Sequence, residues 1–377
     1  MKSILFLIEC LDQGGAETII TNIVSNLNPE KFKTTVFSKT DNEFYTETIK
    51  QYAKHKSFAH QGENFSKARC FINKFFAKLA IEASPNFVRR LMIRGRYDVE
   101  IAFCEGYSTK IIGNSGKRNC KKIAWVHTDV INYPWSEAVF GSAEEEKKCY
   151  ENFDSIICVS QTMREAFRTK YGMDEKLHVL YNPIDFNKVI EKSKEEPDFE
   201  LGNGMKFVLA GSFKKVKAYD RFVSVCQKLK EDGYEFSVLI MGSGFEKNNI
   251  RKAVRDNHLD DYIKIASFQS NPYKYIAHSD VYVCSSYAEG YSTAVSEAVA
   301  LSVPVITTEC SGMREIFGEN ECGIICENSE DGLYNAMKKV LENPSLLEKF
   351  SAEEKKRAND FSLQKRVKAI EDFLESV

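Results

Sequence analysis

The chain has 377 residues, 43% of them hydrophobic and 28% charged, with a formal net charge of -2. That length exceeds one ordinary core and suits two domains, and the near-neutral balance excludes a nucleic-acid binder that works through bulk charge. Eleven cysteines are scattered without a C-x-x-C pair, no signal peptide is read and no apolar run reaches membrane-spanning length; the expected location is the reducing cytoplasm, peripheral at the inner face of a membrane at most.

Residues 3–8 (S-I-L-F-L-I) read as a first parallel strand, and Gly14 and Gly15 open a helix carrying Ile19, Ile20, Ile23 and Val24. Strand, diglycine, helix begins a Rossmann-like unit, although the spacing is not G-x-G-x-x-G. The glycines serve either a ligand or a tight turn that needs them. A second strand covers 34–38, and 43–60 mixes a short helix with loop. Residues 66–96 then hold eight basic residues against one acid, a net +7, with Phe71, Ile72, Phe75, Phe76 and Leu79 on one helical face. Such a helix fits an anionic membrane surface, or equally a core-packed helix with a solvated basic face.

Strands follow at 99–103 and 122–126. The second delivers His127 in W-V-H-T-D, at the carboxyl end of a parallel strand, where open α/β sheets place ligand contacts. Tyr133 and Trp135 come next, an aromatic pair suited to stacking on a sugar ring. After a strand at 155–160 and its helix, the charged stretch 187–204 reads as a hinge. Strands at 206–210, 280–285 and 303–308, and a strand with its glycine turn at 236–244, rebuild the same alternation, with an edge strand at 323–326. Helices at 329–341, 344–359 and 362–373 close the chain.

The most informative stretch is 288–304, A-E-G-Y-S-T-A-V-S-E-A-V-A-L-S-V-P. Glu289 sits in a strand-to-helix turn, and Glu297 lies eight residues on, inside the helix. Two turns of helix let both carboxylates face one cleft at different depths. The start of that helix, at Gly290, Tyr291, Ser292 and Thr293, suits a phosphate, while carboxylates suit hydroxyl groups. Phosphate at one point and hydroxyls on either side describe a sugar nucleotide. A glutamate near a helix start is also a common dipole partner with no ligand.

E-G-Y-S-T-A-V-S-E-A-V-A-L-S-V-P-V-I-T-T resembles the E-x7-E motif of the retaining glycosyltransferases of family 4. The resemblance spans nearly the whole chain and is strongest over 279–316. It implies a GT-B fold: two Rossmann-like α/β domains with parallel sheets facing a central cleft, and a last helix returning to the first domain. The expected division is 1–186 for the acceptor, 187–204 as hinge, 205–360 for the nucleotide sugar and 361–377 as the returning helix. The resemblance implies roles residue by residue. Glu289 stands beside the donor sugar and Glu297 holds the ribose. His127 lines the cleft, and Gly14 and Gly15 close over the donor phosphates or the acceptor. Gly211 and Gly242 shape the nucleotide site, and Phe268 and Gln269 wall the base. Family members carry G-R-x5-K-G where this chain has Gly211-Ser212 and Lys217-Ala218. The lysine is kept, the arginine is Ser212, and Lys214 or Lys215 is a candidate substitute.

The expected function is transfer of a hexose or N-acetylhexosamine from a nucleoside diphosphate sugar, UDP-sugar favoured, to a saccharide acceptor. By the look of the subfamily that acceptor is lipid-linked and belongs to a cell-surface polysaccharide. Glu289, His127 and Lys217 are the candidate catalytic residues. No cofactor is obligatory and no metal site is expected, since no D-x-D motif occurs. A sugar-nucleotide epimerase of the same fold, or an impaired relative that only binds sugar nucleotide, are the alternatives. The Ser212 and Ala218 departures support the second.

Overall fold

The computed structural model describes residues 1–41, 43–59, 84–116, 119–199 and 202–377. It divides into two compact units, Met1–Pro183 with Gln364–Val377, and Ile184–Leu363.

Among the described residues the first unit holds seven strands: β1 (Lys2–Leu7), β2 (Phe32–Thr40), β3 (Lys54–Ala59), β4 (Val99–Ala102), β5 (Lys121–Val126), β6 (Ser155–Cys158) and β7 (Leu177–Val179). They form one sheet in the order β3-β2-β1-β4-β5-β6-β7, parallel throughout. Ile4, Leu5, Phe6, Ile101, Ile123, Trp125 and Ile156 are fully buried, as expected for strands covered on both faces. β1 is hydrogen-bonded to β2 on one side and β4 on the other. The strand order therefore reverses there, which opens a crevice beyond the carboxyl ends of β1 and β4.

The last helix, Leu363–Ser376, packs on this unit through Val367, Ile370 and Leu374. Lys2 Nζ donates to the carbonyls of Leu374, Glu375 and Val377 at 3.0, 2.8 and 2.6 Å. A cation at a helix C-terminus satisfies orphan carbonyls and meets the negative end of the dipole.

The second unit has β8 (Met205–Ala210), β9 (Phe236–Met241), β10 (Ile263–Ala266), β11 (Val281–Cys284), β12 (Val305–Thr308) and β13 (Gly323–Cys326). Their order is β10-β9-β8-β11-β12-β13, again parallel. Phe207, Phe213, Phe222, Val225, Val283 and Leu333 centre its core. Here β8 sits between β9 and β11, so the switch point lies beyond the ends of β8 and β11.

Three sequence expectations need correction. The stretch 43–60 contains the edge strand β3 as well as the helix Thr46–Tyr52. The supposed hinge 187–204 begins as the helix Phe186–Ser193, capped by Asp185, which accepts from the Lys188 N–H at 3.0 Å. That helix buries Phe186 and Val189 within the second unit. Most of the basic segment lies at 66–83, outside the described residues, and its expected helix is left there. Of the part that is described, Arg89 is not a surface charge: it is 1% exposed and ion-paired to the equally buried Glu100. Its Nε donates to Glu100 Oε2 at 3.0 Å, and Nη1 donates to the Ile93 carbonyl at 2.5 Å.

Candidate functional site

In the second unit the helix Thr293–Ala300 follows β11 directly. Ser292 caps it, accepting from the Val295 N–H at 3.3 Å, and Val295, Ala298 and Val299 bury its inner face. It stops in a Schellman closure: Val303 N–H reaches the Ala298 carbonyl at 3.1 Å and Ser302 N–H that of Val299 at 3.0 Å. Ser302 takes the left-handed conformation there, φ 58°. This fixes Glu289 just before the helix and Glu297 in its second turn.

Glu289 is met by Lys217, whose Nζ lies 2.6 Å from Oε1. The Ser286 hydroxyl donates to the same oxygen at 2.5 Å. Burial opposes the charge on Lys217, but the adjacent Glu289 carboxylate overcomes it and holds the ammonium above its ordinary range. The two side chains remain 25% and 11% exposed. The strand end that carries them is braced. The Ser285 hydroxyl donates to the Lys217 carbonyl at 2.8 Å, and Arg221 Nη2 donates to the Ser285 carbonyl at 2.5 Å. Lys217, Tyr219, Tyr282, Cys284, Ser286, Glu289 and Ser292 line one small cavity. Lys214 and Lys215 are exposed, and it is Lys217 that reaches Glu289.

Ala218, where the resembled pattern has glycine, is fully buried at φ 51°, ψ 40°. Glycine is the residue that suits this left-handed conformation, and here a methyl group is accommodated in it. Gly211 and Gly242 end β8 and β9. A Cβ on Gly242 would stand 1.9 Å from the Gly211 carbonyl oxygen, so only glycine lets these two turns touch. Ser212 follows on the same turn, partly exposed.

Glu297 is separate from that pair. It is 9% exposed and accepts from the Tyr273 hydroxyl at 3.0 Å. Burial pushes its pKa up to about 7, partly offset by that hydrogen bond. A buried carboxyl with one donor has acceptor capacity left for hydroxyl groups. Tyr291 is buried at 4% exposure. Phe268 and Gln269 follow the edge strand β10, half-buried. Gln269 Nε2 donates to the Ser267 carbonyl at 3.1 Å.

In the first unit His127 follows β5. Its backbone N–H donates to Glu105 Oε1 at 2.7 Å, and the Thr128 N–H donates to the same atom at 2.6 Å. Burial drives the imidazole down to about 3, so it is neutral. Its Nε2 is buried without a hydrogen-bond partner. Gly14 is extended, φ -162°, so no left-handed turn explains it. A Cβ there would stand 2.2 Å from the Glu17 carboxylate, which folds back over the start of the helix Gly15–Asn26. That carboxylate occupies the positive end of the helix and disfavours a phosphate there. Tyr133 and Trp135 follow in the loop after β5, both partly exposed. Among the described residues no group of three or more His, Cys, Asp or Glu side chains is placed to hold a metal ion.

Sequence reasoning missed Ser285, Ser286, Arg221, Tyr273, Glu105 and Glu9. The rule that found His127 also covers Glu9 and Glu105, which follow β1 and β4.

Family models match both units of the chain. The model described as "Glycosyltransferase Family 4" matches residues 13–188, and the one described as "Glycosyl transferases group 1" matches 191–357. Fold and site define a GT-B protein of paired Rossmann-like units. The chain belongs to glycosyltransferase family 4.

Among curated relatives, the N-acetylgalactosamine-N,N'-diacetylbacillosaminyl-diphospho-undecaprenol 4-alpha-N-acetylgalactosaminyltransferase of Campylobacter jejuni is 30% identical over 229 residues, 60% of each chain. The capsular polysaccharide biosynthesis glycosyltransferase CapM of Staphylococcus aureus is 26% identical over 227 residues, 55% of this chain and 58% of the relative. These matches therefore span about three-fifths of the relatives' length. Anabaena Alr3699/HepE, solved in complex with UDP and glucose, superposes with a TM-score of 0.76 at 16% identity, covering 100% of both chains.

Proposed function

We propose that the protein transfers a hexose or N-acetylhexosamine from a nucleoside diphosphate sugar to a saccharide acceptor carried on a lipid diphosphate, in the synthesis of a cell-surface polysaccharide. The observation that carries this reading is the Lys217–Glu289 pair at the switch point of the second unit, beside a capped helix start.

In this reading Lys217 leaves Glu289 for the β-phosphate when the donor binds. With the positive end of the helix Thr293–Ala300, it stabilises the charge that develops as the diphosphate departs. Glu289 is then released to the donor sugar, and Glu297 accepts from the ribose hydroxyls. His127, neutral by burial, lines the sugar. Anomeric configuration is retained and no metal is obligatory. The UDP complexes of the Anabaena protein support UDP-sugar as the donor. The name of the Campylobacter relative supports a polyprenyl-diphosphate-linked acceptor.

A peripheral approach to the membrane is part of the proposal. Among the described residues Phe87, Arg90 and Leu91 on the short helical stretch 85–92, and Arg94 just after it, are exposed, an apolar and basic mixture suited to anionic lipid. No described helix is long and apolar enough to cross a membrane. Vesicle co-sedimentation should be strongest with anionic lipid at low salt and weaken as added salt shortens the Debye length. A protein that stays in the supernatant under both conditions refutes the membrane arm alone.

The activity is tested by incubating the protein with UDP-, GDP- and ADP-sugars and a polyprenyl-diphosphate-linked saccharide. The expected result is nucleoside diphosphate release that requires acceptor, with a retained anomeric bond in the product. Interconversion of sugar nucleotides without release identifies an epimerase, and binding without any turnover identifies an inactive relative.

A further inference from the structure

Three loops of the first unit converge at its switch point, around Gly106. Glu9 follows β1, Gly106 follows β4, and Thr128 and Trp135 lie in the loop after β5. Gly106 has φ +82°, and a Cβ on it would stand 2.8 Å from Trp135 Cη2 and 3.0 Å from Glu9 Oε1. The indole edge and the carboxylate therefore meet at one spot, and glycine makes room for both.

Each partner is held. Trp135 Nε1 donates to Thr128 Oγ1 at 3.1 Å, and that hydroxyl donates to Glu105 Oε1 at 2.9 Å. Glu9 Oε1 accepts the Tyr107 N–H at 2.9 Å. The indole and the carboxylate are thus oriented before any ligand arrives. Trp135 and Glu9 are both partly exposed.

We infer that Trp135, Glu9 and Thr128 form a carbohydrate subsite in the first unit, in which the indole stacks on a pyranose ring and Glu9 accepts from its hydroxyls. The inference rests on the transferase reading and assigns the side chains that grip the acceptor sugar. An aromatic surface offers an apolar face to the C–H side of a sugar, and a fixed carboxylate gives charge-assisted hydrogen bonds to hydroxyls. Charge also says which part of a lipid-linked acceptor sits here. Glu17 stands close by in the first turn of the helix Gly15–Asn26, its Oε1 accepting from Cys10 Sγ at 3.1 Å. Two carboxylates repel a diphosphate, so the place belongs to the neutral ring.

The chain has two tryptophans, and the other, Trp125, is 0% exposed. Both emit, but only Trp135 can touch an added glycoside, so a glycoside-dependent change in emission reports on Trp135. The test is titration with the methyl α-glycosides of N-acetylgalactosamine, N-acetylglucosamine, galactose and glucose. At least one should change the emission saturably, and Trp135→Phe, which keeps a stacking ring, should abolish the signal. Glu9→Gln keeps the shape but removes the charge, and should weaken binding about tenfold or more. No saturable change with any of the four glycosides overturns the subsite, as does an unchanged affinity in Glu9→Gln. Transfer assays on the same proteins separate the two readings. Normal acceptor KM in Glu9→Gln sinks the subsite and leaves the transferase standing. Glycoside binding by a wild-type protein with no turnover sinks the transferase and leaves the subsite.

Discussion

Replacing Glu297 by glutamine should make the ligand-free protein more stable at neutral pH while weakening its hold on a nucleotide. Burial raises this carboxyl from its ordinary 4.5 to about 7. At about 1.4 kcal/mol per pKa unit, ionising it in the folded protein costs about 3 kcal/mol. The residue is 9% exposed, so solvent does little to screen that cost. The sign follows from linkage. Below pH 4.5 the carboxyl is protonated folded and unfolded, and no penalty exists. Between there and pH 7 only the unfolded chain ionises, so stability falls as pH rises, and above pH 7 the full penalty is in place. Glutamine has no proton to lose. The stability difference between Glu297→Gln and wild type should therefore grow from acid to about pH 8, reaching about 3 kcal/mol in favour of the variant. Ribose hydroxyls donate to the ionised form, so UDP affinity of the wild type should rise with pH through 7 and stay flat and weak in the variant. Denaturant unfolding and UDP titration across that range measure both. Parallel stability curves for the two proteins refute a buried, proton-holding Glu297, and pH-independent UDP binding by the wild type refutes its ribose role.

Lys217→Ala should cut transfer by about 10²–10³, with Lys214→Ala and Lys215→Ala close to wild type; the reverse pattern would move the phosphate ligand to one of the exposed lysines. Ala218→Gly should change unfolding free energy by less than about 1 kcal/mol, because relief of the left-handed conformation offsets the lost buried methyl and the freer unfolded chain. Ala218→Val should lose about 2 kcal/mol or more, and equal stability of both variants would contradict the backbone seen there. Glu100→Ala leaves the Arg89 guanidinium buried without its carboxylate and should cost about 3–5 kcal/mol in denaturant unfolding. A loss under about 1 kcal/mol, as at a surface pair, would return Arg89 to the basic face.

What could be read in the sequence was whatever local pattern dictates. Buried parallel strands such as Ile4–Leu7 within β1 and Val281–Cys284 declare themselves as apolar runs, and the polar residues at their carboxyl ends marked His127 and Glu289. β3 escaped because an edge strand is covered less: K-H-K-S-F-A is mostly half-exposed and reads as polar loop. The helix Phe186–Ser193 escaped because two buried residues, Phe186 and Val189, are a faint signal among charges. Arg89 looked like a surface cation because nothing local to it names Glu100, eleven residues away and buried beside it. The braces of the site are non-local for the same reason. Ser285 meets Lys217, and Tyr273 meets Glu297, only once the strand ends are brought together. Glu9 and Glu105 were legible in principle, since each follows a parallel strand as His127 does.

The claim on which the rest depends is that the second unit binds a nucleoside diphosphate sugar between Lys217 and Glu297. A crystal structure of the complex with UDP tests it most directly. The account predicts the β-phosphate within hydrogen-bonding distance of Lys217 Nζ, now parted from Glu289, and both ribose hydroxyls on the Glu297 carboxylate. UDP bound with Lys217 still on Glu289, or with its ribose turned away from Glu297, would contradict it.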